Sequence, residues 1–274
     1  MNTLVSIVIP TFERAEFVEE CINSVINQSY ENIEIILCDG GSTDANLIKI
    51  LNKYKKNFSY FDSIKDNGHA EAIRRGFSKA NGEIIGYLCS DDLLEKDAIT
   101  KLVSAYIQNS DGDVFYGHTS TINSHGMLIG EKIVFPFNKY SFISGLPICQ
   151  PSTFWTSRVY RLIGSDFGGM NYEYNVFEPQ SDLLYRLYSL NAKFIYIDAF
   201  LSSDRRHPGC VSYIITDNIK LLSDKARFTA FPHLKYKVIL FLYKLIGRSI
   251  QLYFYILQNR FVYIYKKIIR RYFA

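Results

Sequence analysis

Two hydrophobic periods alternate through the N-terminal part of the chain. Between residues 5 and 9 only Ser6 interrupts a run of Val and Ile, which predicts a buried strand; Pro10 closes it, because proline has no N–H to give a ladder. Over 16–28, Val18, Ile22, Val25 and Ile26 fall on one face of a helix. The same pair of patterns recurs with a strand at 33–38 and a helix carrying Leu47, Ile48 and Leu51. It recurs again with a strand at 58–64 and a helix through Ile73 and Phe77, and a fourth strand follows at 84–88, introduced by the turn pair Asn81-Gly82. Strand and helix joined by short connections predict an α/β fold with a mostly parallel central sheet flanked by helices on both faces.

Beyond residue 112 the pattern loosens. Short strands are expected at 114–116, 119–123 and 132–135, a helix at 158–163, and an alternating strand at 193–198. Trp155, the only tryptophan, reads as a core aromatic, with a stacking platform for a sugar ring as the alternative. From residue 237 onward acids disappear and Tyr and Phe crowd in. Wound as a helix, this segment sets Lys244, Arg248, Gln251, Gln258 and Lys266 on one narrow stripe, with Lys267, Arg270 and Arg271 in its last turns. No uncharged run reaches the roughly eighteen residues of a spanning helix. An interfacial helix held by aromatic insertion and attraction to anionic lipid is the expectation, against a helix packed on the rest of the chain or on a second subunit.

Composition narrows the picture. A hydrophobic content of 48% supports a substantial core rather than disorder. The formal net charge of +4 is not concentrated in any segment of the first 230 residues, which argues against nucleic acid as a partner. The five cysteines (Cys21, Cys38, Cys89, Cys149, Cys210) are odd in number and widely spaced, so they read as buried thiols of a reducing compartment. The first apolar run is too short, and lacks a basic leader, to be a signal peptide.

The strand at 84–88 runs into Cys89-Ser90-Asp91-Asp92, so two carboxylates stand at a strand's carboxyl edge, the ligand edge of an open α/β sheet. Neighbouring like charges repel unless a cation or solvent screens them. Two readings are open: a solvated turn in which Asp caps the next helix, or an oxygen-donor site for Mn2+ or Mg2+. Asp39 ends the second strand and opens the loop Asp39-Gly40-Gly41-Ser42-Thr43-Asp44. There it could accept hydrogen bonds from a polar ligand, or the loop could be an ordinary turn with Asp44 as a cap. This loop is neither G-x-G-x-x-G nor a P-loop, which argues against dinucleotide or ATP sites of those kinds.

Four pieces taken together, Ser6-Ile7-Val8-Ile9-Pro10-Thr11-Phe12, Asp39-Gly40-Gly41-Ser42-Thr43-Asp44, Asp66-Asn67-Gly68 and Ser90-Asp91-Asp92, resemble the family 2 glycosyltransferases of the GT-A fold in order and spacing. The resemblance implies a GT-A core with a C-terminal amphipathic helical extension. It implies a nucleotide-sugar donor, a UDP-sugar above others, lined by Pro10, Thr11, Glu13, Asp39, Gly41, Asn67 and Gly68, with Asp39 on the base and Arg74 or Arg75 close by. Asp91 and Asp92 would hold Mn2+ or Mg2+ on the diphosphate, Asp92 the more directly. The run from Arg205 through Arg206, His207, Pro208 and Gly209 to Ser212 matches the family's Arg-x-His…Ser loop. It implies Arg205 and Arg206 on the diphosphate and His207 in the metal shell.

An inverting transferase needs a carboxylate to take the acceptor's proton. The family's Asp aligns with Gln180, an amide that cannot act as a base. That leaves Asp182, ahead of Glu178, although Asp182 reads equally as the cap of a following helix. The expected activity is inverting transfer of a sugar to a hydroxyl of a lipid-linked saccharide acceptor in surface polysaccharide synthesis. A nucleotidyltransferase is the enzymatic rival, which would want a Gly-rich loop with Lys or Arg just after the first strand, where only Arg14 stands. A donor-binding scaffold without catalysis is the other rival. The expected organisation is a catalytic domain over 1–232, with a donor half at 1–112 and an acceptor-side half at 113–232, and a membrane-associating tail over 233–274. The chain would sit peripherally on the cytoplasmic face of the cell membrane, with homo-oligomerisation left open.

Overall fold

The computed structural model describes residues 2–143, 148–163, 179–210 and 237–257. Strand β1 (Val5–Thr11) is buried at every position, as a strand covered on both faces must be. It pairs in parallel with β2 (Ile33–Asp39) along its whole length and with β4 (Ile84–Tyr87) from Val5 to Val8. β3 (Tyr60–Ser63) adds a parallel strand beyond β2. Pro10 does not end β1. The Val8 carbonyl accepts from Leu88 N, so even-numbered residues turn their backbone toward β4, and Pro10 lies past the end of that strand, where no N–H is needed.

Helices cover both faces. Val18, Cys21, Ile22 and Val25 of α1 (Ala15–Ile26), Leu47 and Leu51 of α2 (Ala45–Tyr54), and Ile99, Leu102 and Val103 of α4 (Ala98–Gln108) enclose Val5, Ile7 and Ile9 in one buried cluster. α3 (His69–Phe77) takes the opposite face: a Cβ on Gly76 would stand 2.3 Å from Val8 Cγ1, so only glycine permits this approach.

The remaining strands make the sheet mixed, in the order β3-β2-β1-β4-β8-β6-β9-β5, with β7 paired to β6. β8 (Thr153–Thr156) is antiparallel to β4 and to β6 (Val114–Asn123), β9 (Phe194–Arg206) is parallel to β6, and β5 (Leu93–Leu94) is antiparallel to β9. The parallel arrangement expected from the sequence therefore holds for the first four sheet positions. The two short strands expected at 114–116 and 119–123 are one, β6. The strand expected at 132–135 lies earlier, as β7 (Leu128–Lys132), because the turn Asn123–Gly126, with Gly126 at φ +76°, folds it straight back on β6. β9 runs on past residue 198 to Arg206, so Arg205 and Arg206 belong to a strand rather than a loop. Trp155 is fully buried, edge-on to Phe77 at 5.5 Å between ring centres, and is a core residue. Two further helices, α6 (Ser157–Ile163) and α7 (Pro179–Ser189), belong to this same compact unit, which comprises 1–134 and 148–230.

A second unit joins 135–147 to 231–274, so a segment expected in the acceptor-side half belongs with the tail. Within it, α5 (Lys139–Ile143) meets α8 (Lys237–Leu257), where Tyr140 packs on Tyr243 at 5.2 Å and Phe135 stacks on Phe254 at 5.8 Å. Leu242, Leu245, Ile246, Leu252 and Tyr253 of α8 are exposed. Among the described residues, no helix is long and apolar enough to cross a membrane.

Candidate functional site

The carboxyl ends of β2, β1 and β4 share one edge of the sheet, because β1 lies between the other two. At that edge Thr11 is buried, and among the described residues its hydroxyl has no hydrogen-bond partner. Asp39 is also buried, its carboxylate taken up by Ser42 N at 2.9 Å, Ser42 Oγ at 2.5 Å and Ser63 Oγ at 2.5 Å. Asp39 thereby ties its own loop to the end of β3. Glu13 has a left-handed backbone (φ 50°). Its carboxylate accepts from Thr43 N at 2.7 Å and Asp44 N at 3.1 Å, next to the start of α2, whose unpaired N–H groups favour negative charge. Gly41 has φ +82° and would carry a Cβ 2.8 Å from Lys65 N. Thr11, Glu13, Asp39 and Gly41 thus form one connected loop system with Pro10 beneath it.

Asn67 and Gly68 introduce α3. Asn67 gives both its backbone N–H and its amide to Glu71, and Gly68 N–H bonds Asp66 Oδ1 at 2.9 Å. Arg75, rather than the exposed Arg74, binds this region together. Its guanidinium reaches Asp66 Oδ2 at 2.8 Å, the Asp39 carbonyl at 3.0 Å and Asp62 at 3.3 Å.

The acidic pair follows β4. Cys89 and Ser90 lead into a turn closed by Asp92 N–H to Cys89 O at 2.9 Å, and β5 then pairs with β9. That pairing sets the end of β9 against the acids. Arg205 N–H donates to Asp92 Oδ1 and Arg205 Nε to the Asp91 carbonyl, both at 2.9 Å. His207 Nε2 lies 3.0 Å from Asp91 Oδ2, while its Nδ1 accepts from Gly209 N–H at 3.2 Å, which assigns the ring proton to Nε2. Phe17 packs on the His207 ring at 4.6 Å and lies 4.9 Å from the Arg205 guanidinium. Burial, and then repulsion from Asp91 and Asp204, push the Asp92 carboxyl well above the usual carboxylate range. Asp91, Asp92 and the Cys89 sulfur bring donor atoms within 4.8 Å of one another. The two carboxylates suit a hard dication, and the destabilised charge of Asp92 is what such an ion would relieve.

Arg205 differs from its expected place on a diphosphate. It is 1% exposed, and besides the Asp91 carbonyl it bonds Ser124 O at 3.1 Å and Glu20 Oε2 at 2.5 Å. It points inward because neighbours on a strand alternate faces; Arg206, on the other face, pairs with Asp204 Oδ2 at 2.7 Å. Glu178 lies outside the described residues, as do the side chains of Gln180 and Asp182 at the start of α7. Sequence reasoning passed over Cys89, Glu20 and Phe17 as parts of this cluster. Cys89 is two residues from Asp91 and could have been found from that spacing. Glu20 and Phe17 sit on α1, with no sequence signal linking them to residue 205.

The family description "Glycosyl transferase family 2" matches residues 6–160. A chondroitin synthase of Pasteurella multocida (strain Pm70) is 34% identical over 135 residues, covering 48% of this chain but only 14% of that protein. The structure of S. aureus TarS 1-349 in complex with UDP-GlcNAc superposes with a TM-score of 0.58 at 15% identity, covering 78% of this chain and 62% of that one. The mannosyltransferase PcManGT of Pyrobaculum calidifontis, in complex with GDP-Man and Mn2+, gives a TM-score of 0.51 at 15% identity over 74% of this chain and 56% of that one. At such identities the structural likeness speaks for the GT-A fold alone.

Proposed function

The chain belongs to glycosyl transferase family 2, and from that premise we propose that it moves one sugar from a UDP-sugar to a hydroxyl of a saccharide acceptor, lipid-linked in surface polysaccharide synthesis, with inversion at the anomeric carbon. The observation that carries this reading is the acidic pair at the ligand edge of the sheet, with Asp92 buried and held by Arg205 N–H. A bound Mn2+ or Mg2+ held by Asp91 and Asp92 would offset the negative charge that develops on the leaving diphosphate; His207, expected in the metal shell, instead spends Nε2–H on Asp91 and Nδ1 on Gly209 N–H, and so orients Asp91. Thr11, Glu13 and Asp39 form the nucleoside side of the pocket, where the Thr11 hydroxyl, without a partner among the described residues, would bond the ligand. Asn67, Gly68 and Arg74 flank it, and Arg206 lies on the diphosphate side. Asp182, with Glu178 as the alternative, takes the proton from the acceptor hydroxyl as it attacks. Of two neighbours that share the fold, one holds UDP-GlcNAc and the other GDP-Man, so the test of the donor covers both nucleotides.

Gln180 favours one second reading, a chain that binds the donor without turning it over. A panel of nucleotide sugars assayed for nucleoside diphosphate release, with Mn2+ and with chelator, separates the two. Metal-dependent release that rises when a saccharide acceptor is added is expected, and Asp92→Asn should abolish it together with metal-dependent donor binding. Donor binding with no release under any condition establishes the second reading, and an Asp92→Asn variant with normal turnover overturns the first.

A further inference from the structure

The proposed reaction gives Arg14 no part, although it stands between Glu13 and the first turn of α1. Its Nη2 donates to the Gly209 carbonyl, 195 residues away in the chain. Gly209 N–H donates in turn to His207 Nδ1 at 3.2 Å, and His207 Nε2 lies 3.0 Å from Asp91 Oδ2. Cys210 N–H closes the turn onto the His207 carbonyl at 3.1 Å. A line of hydrogen bonds therefore runs from a cation at the head of α1 to one of the two acids.

The packing around Gly209 points to the same link independently. A Cβ at this position would stand 2.8 Å from Arg14 Nη1 and 3.4 Å from His207 Nδ1, so any side chain would come between the guanidinium and the turn. Two more residues on the same side of α1 hold the neighbouring stretch. Phe17 packs on the His207 ring at 4.6 Å, and Glu20 accepts from Arg205 Nη2 at 2.5 Å. A spacing of three sets positions 14, 17 and 20 along one side of a helix. Of these three, Arg14 is the one that holds the backbone of the turn.

We infer that Arg14 is a positioning residue for the acidic pair: it pins the turn 207–210 and, through His207, fixes the direction in which Asp91 presents its carboxylate. Resting on the proposed cation site, this role adds to it a residue that touches neither metal nor donor. Partners behind a ligand hold it in its bound orientation, so less freedom is lost when the ion arrives. Without the guanidinium the Gly209 carbonyl loses its donor, the turn loosens, and Gly209 N–H no longer stays on Nδ1. The His207 ring is then free to exchange its proton between the two nitrogens and to turn away from Asp91.

The test uses the full chain, stripped with chelator and titrated with Mn2+, the free ion being followed by electron paramagnetic resonance. Arg14→Ala should bind Mn2+ roughly tenfold more weakly, the lower end of what removing a partner behind a ligand costs. Arg14→Lys should recover most of that loss, because one carbonyl needs one N–H donor. Gly209→Ala should reproduce the loss, and its methyl meets only the tip of a flexible side chain there, so the fold survives. A second readout needs no metal. In chain carrying isotope-labelled histidine, nuclear magnetic resonance reports which ring nitrogen of His207 bears the proton, the signal being assigned by its loss in His207→Gln. The Nε2–H form of the wild type should give way to a mixture in Arg14→Ala, a change that a merely structural role would not produce. Should Arg14→Ala fail to fold, Gly209→Ala decides by the same two measurements. Unchanged Mn2+ affinity, or an unchanged His207 signal, overturns the inference; when the wild type binds Mn2+, the cation site then still stands. A wild type that binds no Mn2+ sinks the cation site instead, and the His207 signal alone then decides whether Arg14 holds the turn.

Discussion

Arg205 is enclosed by protein, and Nε, both terminal nitrogens and the backbone N–H all have partners: the Asp91 carbonyl, Ser124 O, Glu20 Oε2 and Asp92 Oδ1. It is a positioning residue, fixing the turn that carries the acids. Arg205→Ala should cost about 3 kcal/mol of stability, since it strips two carbonyls of their donor and opens a void beneath Phe17. Arg205→Lys should recover little, because one ammonium cannot span three acceptors. Glu20→Gln should cost less than about 1 kcal/mol, because the Glu20 side chain is 59% exposed and water screens the pair. Urea unfolding of the three variants checks the order; an Arg205→Ala chain as stable as wild type would remove the positioning role. The sequence exposed two adjacent arginines but not which one turns inward, since that depends on which face of β9 meets α1. The choice between Arg74 and Arg75 was hidden for a similar reason. Neighbours on a helix point about 100° apart, and only the packed loop shows that Arg75 is the one that meets Asp39, Asp62 and Asp66.

At the scale of elements, the contact of α3 with β1 governs how closely the helix behind the Asp66-Asn67-Gly68 loop approaches the sheet. Helix propensity alone makes Gly76→Ala favourable by about 1 kcal/mol, but the new methyl would meet Val8 Cγ1 at 2.3 Å. Overpacking costs roughly 1–3 kcal/mol, so Gly76→Ala should destabilise the fold, and Val8→Ala added to it should restore part of the loss. Thermal unfolding of the single and double variants tests this, and a stabilised single variant would show that the helix moves away without penalty. The strand and helix alternation that builds this half was plain in the sequence because each element carries its own period. β5 was not, because two residues, Leu93 and Leu94, are too few to carry one, although their pairing with Ser202 and Ser203 is what delivers Arg205 and His207 to the acids.

Over the whole molecule, two compact units divide the chain, and the second gathers 135–147 with the acid-free C-terminal segment. The exposed Leu245, Ile246 and Leu252 of α8, with Lys244 and Arg248 exposed on the same helix, suit insertion at an anionic lipid surface. Full-length chain should therefore sediment with vesicles rich in phosphatidylserine and not with neutral ones. Leu245→Glu combined with Leu252→Glu should abolish that binding without unfolding the chain, and unchanged sedimentation would assign this face another role. By itself the sequence determined the alternating α/β core, the order of the four motif pieces and the acid-free tail, because these depend on local periodicity, side-chain chemistry and composition. Only the tertiary structure decided that β8 reverses the sheet, that residues 135–147 join the tail and that Arg205 faces inward. Each of these depends on contacts between residues far apart in the chain, and local pattern carries no record of such contacts.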